Sequence, residues 1–346
     1  MLGKVESHER VLRQGNRTFR PLADLLGLRA GGLTRNLQRA VVDFGADKAF
    51  ARASVRVLRH HQISLSATTI RKTTLEHAHA IKEQQYAHGG PGALSSEGPE
   101  HIIAEIDGTM LPVVATEKGS DGNARKHRTC HWKEVKLCAA REHGKAQTLY
   151  AIGADDVAHT GFAWARAVML AGWAMNTRIH ALGDGATWIY LQYLQMFASS
   201  PGAFLLDYFH VCEYLAAAQK AGAGTHKRWL EVQQNRLLTN HPERILAVLE
   251  PYTEPLETLD EDAPVRSAIR YLSKRIDQLD YQYAQDNELP IGSGMIEGGH
   301  RHVLQNRLKI SGAWWKQDNL TAMAHLCVCR ANEHEDQYWT QLSYAA

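Results

Sequence analysis

Apolar positions recur at helical spacing through the first part of the chain. In ADKAFARASVRVLRHH (46–61), Phe50, Ala53, Val57 and Leu58 fall on one side of a helix. After the short break QISLS, the run ATTIRKTTLEHAHAI (67–81) places Ile70, Thr74, Ala78 and Ile81 on one stripe. Two helices joined by a tight turn, with Ser66 as N-cap of the second, predict a helix-turn-helix, although a plain helical hairpin has the same pattern. On the helix-turn-helix reading, Thr68, Thr69, Arg71 and Lys72 face outward near the start of the second helix. That is where a recognition helix meets base edges and phosphates.

The period changes after the Gly/Pro/Ser-rich stretch AHGGPGALSSEGPE (87–100). Strand-length apolar runs follow. HIIAEIDG (101–108) ends in Asp107, and VKLCAA (135–140) with AQTLYAIG (146–153) form a hairpin about REHGK. A buried helix, FAWARAVMLAGWAM (162–175), precedes the strand RIHALGDG (178–185), which ends in Asp184. The helix ATWIYLQYLQMF (186–197) and the strand AFLLDYFH (203–210), with Asp207, complete the series. This order predicts a mixed α/β sheet with helices on its faces. Residues 211–289 read as helix throughout, with thirteen acidic and nine basic residues, and form an all-helical insertion. The expected division is a helical DNA-binding region at 1–88, a linker at 89–100, the first part of a core at 101–210, the insertion at 211–289, and C-terminal helices of the core at 290–346.

Composition narrows the class. With 346 residues, 44% apolar and 22% charged, the chain suits a globular protein with a sizeable core. Its longest apolar run is interrupted by Arg166 and falls short of the roughly 20 residues needed to cross a bilayer, so no membrane partner is expected. The N-terminus has no apolar signal segment, and the five cysteines (130, 138, 212, 327, 329) form no CxxC pair. Both observations point to reduced thiols in a cytoplasmic protein. The net charge of +2 hides an asymmetry: residues 1–88 carry fifteen Lys/Arg against seven Asp/Glu, and the remainder twenty-four against thirty. A basic module joined to an acidic body favours a polyanion partner.

Three predicted strands carry an aspartate at their carboxyl ends, where ligands bind in open α/β sheets. Two neighbouring carboxylates repel unless a cation lies between them, and a hard divalent ion such as Mg²⁺ suits oxygen donors. A third acid from a helix would complete a site for two ions, able to activate one oxygen and stabilise another in displacement at phosphorus. Against this stands the ordinary role of such residues as turn formers and helix N-caps, strongest for Asp184 in GDGA. Asp155, Asp156 and Glu105 are rival acids on the same pattern. Near the C-terminus, Trp314 and Trp315, with Arg301, Arg307, Lys309 and Lys316, suit stacking on unpaired bases or packing between helices. The segment RKHRTCHWKE (125–134) mixes cations with Trp132 and suits a DNA backbone.

Five motifs in order, EIDGTMLPVV, WKEVKLCAAREHG, HALGDGATWIY, FLLDYFHVCEYL and PIGSGMIEGGHRHVLQNRLKISGAWW, resemble the bacterial insertion-sequence transposases of the ISKra type. These are related to Mutator-like DDE transposases, and the resemblance spans nearly the whole chain from about residue 20. It implies an RNase H-like sheet, with Asp107 as first acid, Asp184 as second and Glu297, in its GSGMIE setting, as third. Asp207 and His210 match an Asp-x-x-His motif, with His210 as an electrostatic or proton-transfer aid and Asp207 as an additional site residue. The implied cofactor is Mg²⁺ or Mn²⁺, two ions per site, held by Asp107, Asp184 and Glu297. The implied partners are double-stranded DNA, at element ends and target, and further copies of the chain as a homodimer or larger assembly. The implied setting is the bacterial nucleoid. The expected reaction is phosphodiester cleavage followed by strand transfer. The alternatives are a catalytically silent DNA-binding derivative and an RNase H-fold nuclease without joining activity. Many relatives carry a Cys-containing segment before the point where this chain begins, and no Cys pair occurs here, so terminal-repeat recognition is the part most open to departure.

Overall fold

A computed structural model of the chain describes residues 8–15, 17–25, 32–87, 92–116, 128–153, 157–224 and 226–344. Asp155 and Asp156 lie outside them, as do residues 125–127. The chain divides into two compact units: 1–89 with 109–135 and 298–346, and 90–108 with 136–297.

The second unit is built on the sheet. The five strands lie in the order Leu149–Ile152, Arg128–Glu142, His101–Thr116, Arg178–Gly183, Gly202–Leu206, and 128–135 and 109–116 of the second and third belong to the first unit. The last three are parallel to one another, and the first two form the antiparallel hairpin expected about REHGK. Residues 102–106, 179–182 and 204–206 are buried without alternation, the pattern of parallel strands covered on both faces. The covering helices are Val157–Leu170 and Thr187–Phe197. Trp164 and Trp173 each meet Phe197 edge-on at 5.2 Å, which closes the core on one side. Two expected boundaries move. The strand through Asp107 continues to Thr116, so Asp107 lies inside it, and the helix of FAWARAVMLAGWAM ends at Leu170, just before Gly172 at φ +96°.

Residues 211–289 contain helices and no strand among those described, as the pattern predicts. They are not a separate body, because Ile245, Leu249, Val265, Ala268 and Leu272 join the same buried cluster as the strands.

In the first unit, Arg35–Asp47, Phe50–His61 and Ala67–Ala87 are helices. The stripe Ile70, Thr74, Ala78 and Ile81 is buried, and the Ser66 hydroxyl accepts from the Thr69 amide at 3.0 Å, as an N-cap does. Val41, Ala53, Val57 and Ile70 form the core of the three helices. Gly45 permits their close crossing, since a Cβ there would lie 2.1 Å from the Thr74 hydroxyl. The helices Gln317–Ala331 and Glu335–Tyr344 belong to this unit, tied in by buried His77, which bonds Gln38 at 2.9 Å and Tyr338 at 2.7 Å. Residues 298–346 therefore group with the N-terminal helices, whereas the sequence reading assigned 290–346 to the sheet domain. No helix among the described residues is long and apolar enough to cross a membrane.

Candidate functional site: a row of carboxylates at the strand ends

Strand register decides which acids meet. The 101–116 strand pairs with 178–183 so that Glu105 lies opposite Leu182. Two residues beyond that last pair lie Asp107, still within its strand, and Asp184, just past the end of its own. The 178–183 strand pairs with 202–206 so that Gly183 lies opposite Leu206, and the Asp207 amide donates to the Gly183 carbonyl at 2.8 Å. Asp107, Asp184 and Asp207 thus follow, as a row, the last paired positions of three neighbouring parallel strands.

The three carboxylates are not equivalent. Asp207 is 3% exposed. Its Oδ1 accepts from the Phe209 and His210 amides at 2.7 and 3.1 Å, capping the helix Tyr208–Ala218. Its Oδ2 accepts from the Ser293 amide at 2.7 Å and from the Ser293 hydroxyl. Four donors use the acceptor capacity of one carboxylate, so Asp207 holds chain rather than ligand. Asp184 Oδ1 accepts from the Ala186 amide at 2.8 Å at the start of the 187–197 helix, the ordinary turn-and-cap role. Asp107 Oδ1 accepts from the Gly108 amide at 2.7 Å.

The helical insertion fixes the GDG turn from the side. Tyr271 donates to the Asp184 carbonyl at 2.7 Å, and Arg275 donates to the Gly185 carbonyl from Nη2 at 2.7 Å and Nε at 3.1 Å. Gly185 has φ +81°, and a Cβ there would lie 2.9 Å from both Leu206 and the Tyr271 hydroxyl, so only glycine fits. Neither Tyr271 nor Arg275 was singled out from sequence, because no local signal links them to a turn some ninety residues away.

The segment bearing Glu297 is fastened to all three strands. His180 Nε2 donates to the Pro290 carbonyl at 2.8 Å, which fixes the tautomer, and burial lowers this imidazole's pKa to about 4. The Tyr208 amide donates to the Ile291 carbonyl at 2.9 Å, and Asp207 takes Ser293. Glu105, 1% exposed, accepts from the Ile296 amide at 2.7 Å. Ser293 precedes the helix Gly294–Gly299, and a capping serine would ordinarily take the amide three residues on. Here its hydroxyl is turned to Asp207, and Glu105, from a neighbouring strand, accepts from the Ile296 amide. Burial, with the nearby charges of Asp207 and Glu297, raises the Glu105 carboxyl to about 8, against the lowering effects of the Ile296 amide and Arg141.

Glu297 itself is exposed, in the first turn of that helix. Among the described residues, no three His, Cys, Asp or Glu side chains are placed to hold a metal ion. The fold therefore carries Asp107 and Asp184 on adjacent parallel segments and anchors the Glu297 helix, but in this arrangement the three acids do not form a cation cage. His210 is exposed, with its Nδ1 3.9 Å from Glu213.

In the other unit, Thr68, Arg71 and Lys72 are exposed near the start of the 67–87 helix, with Lys72 3.8 Å from Glu76. The Thr69 hydroxyl is 2.9 Å from that of Ser66. Arg301 and Lys309 are exposed, and Lys309 lies over the Trp132 ring at 5.2 Å. Arg307, expected on a DNA-facing surface, is instead buried between the rings of Phe50 and Trp315, with Nε donating to the Gly45 carbonyl at 2.9 Å. The tryptophan pair splits: Trp315 is core and Trp314 is exposed.

Among solved structures, the chain is similar to the Drosophila P element transposase strand transfer complex, at 10% identity and a TM-score of 0.30, over 91% of this chain and 82% of that one. No curated protein matches the chain. Residues 173–339, which take in Asp184, Asp207 and Glu297, match the model of an uncharacterised protein family, UPF0236.

Proposed function

We propose that the chain is a DDE transposase, cutting phosphodiester bonds at the ends of a mobile element and joining the freed 3′-hydroxyl to target DNA. The observation that carries this reading is the common row of Asp107 and Asp184, together with the anchoring of the Glu297 helix to the same strands. The sheet, with two parallel strands on one side of a hairpin-bearing half, supports the RNase H-like part of the reading. The sequence motifs support the DNA substrate.

Asp107 and Asp184 would supply hard oxygen donors to Mg²⁺ or Mn²⁺, which when bound polarises phosphate oxygens. Because Glu297 does not join them as arranged, loading has to draw the 294–299 helix and the aspartate row together. The protein's own part is positional. Asp207 and Glu105 set the height of that helix, and Tyr271 and Arg275 hold the turn that carries Asp184. The exposed residues Thr68, Arg71, Lys72, Arg301 and Lys309 would meet DNA, and paired ends call for at least two copies of the chain.

The test uses the DNA flanking the coding region as donor, a plasmid as target, and Mg²⁺. Wild type should give joined products, and D107N, D184N and E297Q should give none while still binding DNA. Joining by any of the three variants refutes the assignment. The absence of a three-donor cluster among the described residues favours one second reading, a catalytically silent DNA-binding derivative. Binding without cleavage by wild type would decide for it, and nicks never converted to joined strands would decide for a nuclease.

A further inference from the structure

A cavity of about 540 Å³ lies in the unit formed by the N- and C-terminal segments, beside the 310–316 loop. Among the described residues, four cationic side chains, Arg71, Arg128, Arg307 and Lys316, line it, and no carboxylate does. Such a lining repels itself and favours an anion. Three aromatic rings line it as well, those of Phe50, Trp314 and Trp315. Trp314 is 51% exposed, with no ring partner among the described residues, a costly placement for so large an apolar side chain.

Arg307 is the second, independent sign. It is 4% exposed, and its Nη2 has no hydrogen-bond partner, although its Nε is satisfied by Gly45. A buried guanidinium with an unused donor is costly unless something completes it. Asp47, whose charge reaches Arg307, lies outside the cavity lining and pairs with Lys48 at 2.8 Å. Burial accordingly lowers the Arg307 pKa to about 10.

Anionic and flat aromatic groups are wanted together, in a volume suited to one small ligand. A nucleotide with its base unpaired has both, since the base can stack on a ring and the phosphate meets cations without regard to sequence. We propose that this cavity receives an unpaired nucleotide of DNA, stacked on Trp314, with its phosphate held by Arg71, Arg128 and Lys316. The choice of DNA rests on the function proposed above, whereas the cavity and its chemistry do not.

Cys130 lines the cavity and is exposed, whereas Cys138, Cys327 and Cys329 are buried and Cys212 is half-buried. Its alkylation by N-ethylmaleimide, read by peptide mass, therefore reports occupancy. The full chain in EDTA is titrated with a six-nucleotide single strand and, separately, with a blunt hairpin duplex. The single strand should slow Cys130 alkylation saturably and quench tryptophan fluorescence. W314A and R128A, both surface changes, should each raise the half-saturating concentration about tenfold, with unchanged far-UV circular dichroism. An alkylation rate indifferent to the single strand overturns the proposal, as does equal protection by the hairpin. The assay contains no divalent ion, so an inactive carboxylate row leaves its outcome unaffected. Conversely, strand joining without Cys130 protection would sink this proposal alone.

Discussion

Replacing Asp207 by Asn tests whether the carboxylate row is held by chain-to-chain bonds. The amide oxygen can keep the cap, accepting from the Phe209 and His210 amides as Oδ1 does now. The NH₂ group then takes the place of Oδ2 and faces the Ser293 amide, a donor, while the Ser293 hydroxyl turns to accept from it. Flipping the amide only moves the clash to the cap. At least two charge-assisted bonds are lost, and the Ser293 amide is left facing a donor. With unsatisfied donors costing about 1–3 kcal/mol each, D207N should destabilise its unit by about 3–4 kcal/mol. S293A removes the hydroxyl alone and should cost about 1–2 kcal/mol. In the D207N background the hydroxyl bond is no longer charge-assisted, so the same change should cost about 1 kcal/mol less, a coupling that a double-mutant cycle resolves. Urea unfolding followed by far-UV circular dichroism gives the energies, and amide hydrogen exchange localises them: the Ser293 and Ile296 amides should exchange faster in D207N. Destabilisation below about 0.5 kcal/mol, with unchanged exchange at those amides, would refute the latch.

Three further outcomes follow from individual side chains. Glu105, with its carboxyl raised to about 8 against an ordinary 4.5, binds a proton in the folded state that the unfolded chain releases. Stability should therefore fall as pH rises from about 4.5 to about 8 in the absence of divalent ions, with a ceiling of about 5 kcal/mol; E105Q, which mimics the protonated form, should flatten that slope, and an unchanged slope counts against it. Gly45→Ala places a Cβ 2.1 Å from the Thr74 hydroxyl and should cost about 1–3 kcal/mol, with part of the loss recovered in G45A/T74A, as thermal melts would report. The Tyr281 hydroxyl is buried without a hydrogen-bond partner, so Tyr281→Phe should be neutral or stabilising by up to about 1 kcal/mol, and a loss above that would show that the hydroxyl is bonded.

Much of the sheet was legible because parallel strands buried on both faces write their pattern as unbroken apolar runs, and turns write theirs as Gly-containing punctuation. The hairpin about REHGK, the Ser66 cap and the buried stripe from Ile70 to Ile81 all follow from local chemistry. Asp107, Asp184 and Asp207 could be named as strand-end acids, and the sequence separation of the first two equals the offset of their strands' register. That equality carries meaning only once the strands are known to be neighbours.

The sequence by itself determined the elements, the helical character of 211–289 and the candidate acids, because helix and strand periods, caps and turns act over a few residues. Tertiary structure alone decided the roles. Asp207 became a four-donor latch because Ser293 arrives beside it, and Glu105 became an N-terminal acceptor for the Glu297 helix because its strand runs beneath Ile296. Arg307 left the surface because Phe50 and Trp315 close over its guanidinium. Each outcome depends on residues tens to hundreds of positions apart, where periodicity carries no information and only packing brings partners together.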